Sequence, residues 1–139
     1  MNSATAEPTT SDIRAVRSQN APEPVGPYSQ AVVHGGWLFA SGQIPLEPAT
    51  GELVPGEIEA QTERVLENLS AVLQEGGSSL DRVVRATIYL TDLSLFPRVN
   101  AVYARYFSAE PAPARATVEV SALPLGAAVE IDAIAIVDA

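Results

Sequence analysis

The most regular hydrophobic pattern in the chain runs from Glu57 to Gln74. Its apolar positions recur every three or four residues, a spacing that places side chains along one face of an α-helix. This face consists of Ile58, Thr62, Val65, Leu66, Leu69, Val72 and Leu73. Gly76 and Gly77 follow, as is typical of a helix C-terminus. A second, shorter helix is predicted from about Leu95 to Phe107, with the apolar positions Val99, Val102, Tyr103 and Phe107.

Strand patterns lie on both sides of these helices. Residues 31–34 and 37–41 flank Gly35-Gly36, which predicts a hairpin. Residues 83–90, 113–120 and 129–137 give three further strands. In the first of these, alternation places Val84, Ala86, Ile88 and Leu90 on one side; in the last it places Glu130 with Asp132, Ile134 and Ile136.

The order β-β-α-β-α-β-β predicts an α+β fold, in which two helices pack on one face of a mixed sheet. The opposite face of the sheet must also be covered, and oligomerisation is the natural way to cover it in a chain of 139 residues. Residues 1–20 are rich in Ser, Thr, Ala and Pro, which predicts a flexible tail before a single domain at 21–139. Residues 13–17 are alternatively an extension of the sheet edge.

Composition excludes several kinds of chemistry. The chain has no Cys and no Lys, and His34 is its single histidine. Thiol nucleophiles, lysine Schiff bases and sites with several His ligands are therefore absent, and we expect neither a metal nor an organic cofactor. The formal net charge of −9 argues against nucleic-acid binding. With no membrane-length apolar run and no signal peptide, the sequence predicts a cytoplasmic protein without a membrane partner.

Two charged residues at strand ends are candidates for chemistry. Arg115 opens a strand just after Pro113, where its planar guanidinium suits two-pronged binding of a carboxylate. It is alternatively one half of a structural ion pair. Glu130 lies near the start of the last strand and is suited to orienting or deprotonating a water molecule. It is alternatively a solvated acid, or the partner of Arg115 itself.

Six ordered strings carry a resemblance to a known family. They are APxxxGPYSQA at 21–31, SGQI at 41–44, EAQTxxxLENL at 59–69, VNxxY at 99–103, PARATVEV at 113–120 and LPxxxxVEIDAIA at 123–135. In this order they closely resemble the RidA/YjgF family of enamine/imine deaminases. The resemblance implies a chorismate-mutase-like α+β protomer, a homotrimer, and ligand sites in the clefts between subunits. It also implies hydrolysis of 2-imino acids such as 2-iminopropanoate and 2-iminobutanoate to 2-keto acids and ammonia.

The resemblance also implies roles for individual residues. Arg115 would hold the substrate carboxylate and Glu130 would handle the attacking water. The pocket would be completed by Tyr28, Ser41, Phe96, Asn100 and the backbone of Ala116 and Thr117. Each has a structural alternative: Tyr28 on a turn, Ser41 at a strand end, Phe96 in the core and Asn100 bracing a helix. Thr117 stands where many members carry Cys, which rules out thiol chemistry at that position.

Other functions remain open on the sequence alone. A carboxylate site also suits a regulatory module that binds 2-keto acids without turning over an imine. A dedicated imine hydrolase of specialised metabolism would use the same residues. Ribonuclease activity, ascribed to some relatives, is disfavoured by the acidic charge and the single His. A chaperone activated by lysine chlorination is disfavoured by the absence of Lys.

Overall fold

A computed structural model of the chain describes residues 12–138. Six strands form one sheet in the order β1-β2-β3-β6-β4-β5, in which only β4 and β5 run parallel. The strands are β1 Arg14–Val16, β2 Ala31–His34, β3 Trp37–Gln43, β4 Val83–Leu90, β5 Ala114–Glu119 and β6 Val129–Ile136. The helices are α1 Ile58–Glu75 and α2 Phe96–Tyr106.

Both helices pack on one face of the sheet, and the alternation of β6 shows why. Val129, Ile131, Ala133 and Ala135 are buried in the same core as Leu66, Leu69 and Val99 of the helices. The intervening residues of β6, from Glu130 to Ile136, lie on the opposite face, which we call the outer face. The predicted α+β architecture, a mixed sheet with two helices on one face, is confirmed.

The outer face is only partly covered in the protomer. Trp37 and Phe39 of β3 remain 46% and 44% exposed, and Val118 of β5 is 40% exposed. Phe39 lies between Val32 of β2 and Ile134 of β6 in the strand register. These exposed side chains leave an apolar surface on the outer face of the protomer.

One strand differs from the alternation that the sequence indicated. Val84 was predicted on the side of Ala86, but Val83 is buried there and Val84 is 38% exposed. The register between β4 and β6 shifts between Val83 and Arg85. A bulge of this kind adds one residue to a strand and reverses the alternation beyond it.

Part of the predicted tail belongs to the sheet. Of residues 1–20, Arg14–Val16 form the edge strand that the sequence left as an alternative, and they pair with β2. The buried side chain of Gln30 fixes the chain that follows, since its amide bonds to the backbone of Ser18 and Pro22. The prediction of a tail over 1–20 is wrong for this portion, and residues 1–11 lie outside the described residues.

Helix α2 is held to α1 by polar contacts on their exposed sides. Arg98 bonds to both carboxylate oxygens of Glu59, at 2.8 Å each. The hydroxyl of Tyr106 donates to Glu67 at 2.9 Å.

No helix within residues 12–138 has the length and apolarity to cross a membrane.

Candidate functional site

Arg115 lies against one stripe of α2. Because β4 and β5 are parallel, the chain must cross over between them, and α2 is that crossover. Phe96, Asn100 and Tyr103 follow one another at spacings of four and three, so they share the side of α2 that faces β5. Arg115 opens β5 opposite the buried Ala86, which directs its side chain to the helix side of the sheet.

The guanidinium of Arg115 is framed by these three side chains, which together with it we call the arginine group. Its Nη1 donates to Asn100 Oδ1 at 2.7 Å. Its Cζ lies 5.2 Å from the ring centre of Phe96 and 4.8 Å from that of Tyr103. Both distances are within the range of a cation–π interaction.

Arg115 has no acidic partner in the described part of the chain. Five of the eight arginines form ion pairs with carboxylates there, and Arg115 is not among them. Neither the structural ion pair nor a pairing with Glu130 is present within residues 12–138. An exposed cation in a chain of net charge −9 that bonds only to a neutral amide retains donors for an anion.

Glu130 lies in a second group, built by a bulge in β3. The register between β3 and β6 shifts between Ala40 and Gln43, so Ser41 and Gly42 share one position of the ladder. Glu130 packs directly on Gly42, where a Cβ atom would collide with its carboxylate. Any side chain at position 42 would displace the Glu130 carboxylate from this place.

The bulge opens onto a cavity of about 330 Å³. It is lined by Val25, Tyr28, Ser41, Gly42, Ile44, Pro124 and Glu130. Tyr28, Ser41, Gly42 and Glu130 together are the glutamate group. The structure therefore brings three of the predicted site residues, Tyr28, Ser41 and Glu130, into one cavity.

Hydrogen bonds within the protein determine which of these side chains can donate to a ligand and which can accept from one. Ser41 Oγ donates its proton to the carbonyl of Ser29 at 2.7 Å, which leaves its lone pairs to accept from a ligand. Tyr28 does the reverse, since its oxygen accepts from the N–H of Val25 at 3.2 Å and its own proton remains available. The cavity thus presents an acceptor, a donor and a carboxylate.

The environment of Glu130 disfavours its charge. Burial raises the pKa of the Glu130 carboxyl above its usual value, and the neighbouring carboxylate of Asp132 raises it further. Asp132 is itself held in place by the hydroxyl of Tyr89, which donates to it at 2.9 Å. A carboxyl with a raised pKa is a better proton acceptor once ionised.

The arginine group and the glutamate group do not meet within one protomer. Arg115 pairs with Ala86 on the helix side, whereas Glu130 pairs with Tyr89 on the outer face. No member of the arginine group lines the cavity beside Glu130. The two groups occupy opposite faces of the sheet.

The remaining candidates, Ala116 and Thr117, lie half-buried in the middle of β5. This strand is the edge of the sheet, so half of its backbone N–H and C=O groups point away from β4.

Within residues 12–138 no three or more His, Asp or Glu side chains gather in a way that could hold a metal ion.

Two residues of these groups were given no role by the sequence analysis. Gly42 appeared only as part of SGQI, and Tyr103 was assigned to the apolar face of a helix. The signal for Tyr103 is its spacing, because positions 96, 100 and 103 fall on one helical stripe. Nothing in the sequence indicates the bulge at Ser41 and Gly42.

A family model described as "Endoribonuclease L-PSP" matches residues 18–137. Protein DfrA of Myxococcus xanthus is 60% identical over 125 residues, which cover 88% of this chain and 95% of DfrA.

Solved structures share the fold. A protein of unknown function of the conserved Rid protein family from Yersinia pestis superposes with a TM-score of 0.88 and 50% identity, covering 91% of this chain and all of that one. TdcF of E. coli, solved with bound serine, gives a TM-score of 0.84 and 38% identity, covering 90% and 99%. This protein belongs to the RidA/YjgF (endoribonuclease L-PSP) family.

Proposed function

We propose that this protein hydrolyses reactive 2-imino acids to 2-keto acids and ammonia. The observation that carries the proposal is the guanidinium of Arg115, which faces no carboxylate of the described chain and is bonded only to Asn100. A ligand carboxylate would supply the missing anion through two parallel hydrogen bonds. Membership of the Rid family and the serine bound to TdcF support a site for small amino-acid-like molecules.

The two groups have complementary polarity. The arginine group offers mainly donors, because Asn100 Oδ1 already accepts from Arg115 while the amide N–H groups of Asn100 and the other N–H groups of Arg115 have no partner within residues 12–138. The glutamate group offers a carboxylate and the lone pairs of Ser41. A 2-imino acid is an anion at one end and, when protonated, a cation at the other, so it fits between two such groups.

The two groups meet when protomers associate. Since they lie on opposite faces of one sheet, a complete site forms where the arginine group of one protomer faces the glutamate group of its partner. The apolar outer face around Phe39 supports burial between copies. A closed ring of three copies gives every protomer the same contact and leaves no group unpaired.

The reaction adds water across a C=N bond. Arg115 and Asn100 hold the carboxylate and so fix the position of C2. Glu130, ionised, takes a proton from water as the water oxygen bonds to C2, giving a carbinolamine. Glu130 then returns that proton to the nitrogen, the C–N bond breaks, and the hydroxyl proton passes to the released ammonia as the ketone forms. Water and the imine become a 2-keto acid and ammonia, with no change of oxidation state.

The test is an assay in which the imine is generated in place. A threonine dehydratase produces 2-iminobutanoate, and semicarbazide traps what remains after a fixed time. Wild-type protein is expected to reduce the trapped imine, and Arg115→Ala to lose this effect. Arg105→Ala is the matched control, since Arg105 is also an exposed arginine but lies on α2 and is paired with Glu63. Glu130→Gln should lower turnover more than binding.

Three results would contradict the proposal or redirect it. Activity retained in Arg115→Ala would show that Arg115 does not bind the substrate carboxylate. Tight binding of 2-oxobutanoate without imine turnover selects a metabolite-binding module at the same site. Turnover confined to imines with larger side chains selects a dedicated hydrolase of specialised metabolism.

Ribonuclease activity is not favoured by the charges, despite the description of the family. Phosphate backbones are bound by clustered free cations. Here 17 acidic residues oppose eight arginines, and five of those arginines are paired with carboxylates within residues 12–138. RNA binding by the pure protein that weakens steeply with salt would reverse this judgement.

A further inference from the structure

Tyr103 is the one side chain of the arginine group that is fully inside the protein. It is 6% exposed, and its hydroxyl is buried without any hydrogen-bond partner in the described structure. Burial raises the pKa of Tyr103, and Arg115 opposes that rise through its positive charge and its closeness to the hydroxyl, although the two groups do not meet the geometry of a hydrogen bond. A buried hydroxyl without a partner costs free energy, so any contribution of Tyr103 to the site comes from its ring.

The ring of Tyr103 is held rigidly. It stacks on the ring of Phe107, one helical turn further along, with centres 4.3 Å apart and planes inclined by 22°. The Cζ of Arg115 lies 4.8 Å from its centre, closer than to Phe96 at 5.2 Å. The electron-rich face of a fixed ring therefore lies against the guanidinium.

We propose that Tyr103 is the positioning residue of Arg115, and that it acts through its ring face and not its hydroxyl. The proposal rests on the function above, in which Arg115 binds a carboxylate. Arginine has a long, exposed side chain with several rotatable bonds. If the side chain were not already ordered, its loss of conformational entropy on binding would weaken the affinity for a ligand. Contact with the ring of Tyr103 and the bond to Asn100 fix the plane of the guanidinium in advance, with its remaining N–H groups outward.

This role predicts different effects for two substitutions. Tyr103→Phe keeps the ring face and removes only the unpartnered hydroxyl. Tyr103→Leu keeps an apolar side chain in the core but removes the ring. Tyr106→Leu is the matched control, because Tyr106 is a tyrosine of the same helix whose hydroxyl bonds to Glu67 and whose ring forms no cation–π pair with Arg115 in the described structure.

The first measurement concerns the free protein and needs no substrate. In an NMR spectrum of the arginine Nε–H groups, the Arg115 signal is the one missing from Arg115→Ala. We expect ring currents to displace it from the other arginine signals in wild type. The displacement should persist in Tyr103→Phe and Tyr106→Leu and decrease in Tyr103→Leu.

The second measurement is binding of 2-oxobutanoate, with KM and kcat for imine hydrolysis. Tyr103→Leu should weaken binding and raise KM roughly tenfold, the middle of the range of a cation–π contact, while kcat changes less. Tyr103→Phe should remain within about twofold of wild type. Should Tyr103→Leu fail to fold, Tyr103→Met supplies the same comparison.

The outcomes separate this inference from the proposed function. An unchanged Arg115 signal and unchanged binding in Tyr103→Leu overturn the positioning role. A loss of binding in Tyr103→Phe as large as in Tyr103→Leu assigns the effect to the hydroxyl and also overturns it. If wild type and Arg115→Ala bind 2-oxobutanoate equally, the proposed function fails, while the NMR comparison still decides the role of Tyr103.

Discussion

The carboxylate of Glu130 lies on the backbone of Gly42, in the space that a Cβ atom would occupy. The contact lies at a bulge in β3, where Ser41 and Gly42 together oppose Asp132 of β6, two residues from Glu130. Glu130 is thereby half-buried beside Asp132, and burial raises its pKa. One missing side chain in β3 thus sets both the position and the proton affinity of the proposed base.

Gly42→Ala is expected to displace Glu130 and lower imine turnover by about tenfold or more, because small shifts of a catalytic group have large effects. Gly42 does not have a positive φ, so alanine fits its backbone and the effect reports on the contact alone. The check is the free energy of unfolding in two backgrounds. The substitution should destabilise wild type and be nearly neutral in Glu130→Ala; equal costs in both would exclude the contact as the cause.

Glu130→Gln is expected to stabilise the fold at neutral pH. The pKa of Glu130 is raised in the folded protein, so folding favours its protonated form, and the ionised form is destabilising at higher pH. The difference in Tm between the variant and wild type should therefore be largest above the raised pKa and vanish below about pH 4, where both side chains are neutral. Thermal unfolding across this range measures it. A variant less stable than wild type at neutral pH would contradict the assignment.

Asn100→Asp tests the unpaired state of Arg115. The change is nearly isosteric and places a carboxylate where Asn100 Oδ1 now accepts from Arg115 at 2.7 Å. The new acid should occupy the guanidinium and weaken 2-oxobutanoate binding by about tenfold or more, without loss of stability. Calorimetric titration and thermal unfolding give the two readouts. Unchanged affinity would show that the guanidinium is not the carboxylate site.

Tyr103→Phe is expected to stabilise the protein, since it removes a buried hydroxyl that has no partner. The gain should be about 1 kcal/mol, or roughly 3 °C in Tm. Tyr106→Phe is the control in the opposite sense, because its hydroxyl donates to Glu67 and its removal brings no such gain. A fall in the Tm of Tyr103→Phe would reveal a partner for the hydroxyl in solution.

Phe39→Glu is expected to dissociate the proposed trimer. Phe39 is 44% exposed on the outer face, between Val32 and Ile134 of the neighbouring strands. A carboxylate there would be buried without a partner on association, which costs several kcal/mol per copy. Analytical ultracentrifugation gives the mass. Val84→Glu, on β4 and 38% exposed, tests how far the interface extends. A wild-type protein that sediments as a monomer would exclude the composite site.

The helices and strands whose hydrophobic pattern repeats regularly over many residues could be predicted from the sequence alone. The face of α1 from Ile58 to Leu73 is buried as its spacing predicts, and β6 alternates without interruption. Such a pattern can be interpreted from neighbouring residues alone, because side-chain direction repeats every 3.6 residues in a helix and every two residues in a strand. The family could also be identified from ordered strings of sequence.

Only the tertiary structure decided how the site residues are arranged. Bulges at Ser41–Gly42 and beside Val84 depend on register with a distant strand, so Val84 was placed on the wrong face. Arg115 meets Phe96, Asn100 and Tyr103 because the crossover between parallel strands lays α2 beside β5. The separation of Arg115 from Glu130 likewise follows from which face each residue occupies. These contacts and separations involve residues that are far apart in the chain, so spacing along the sequence does not predict them.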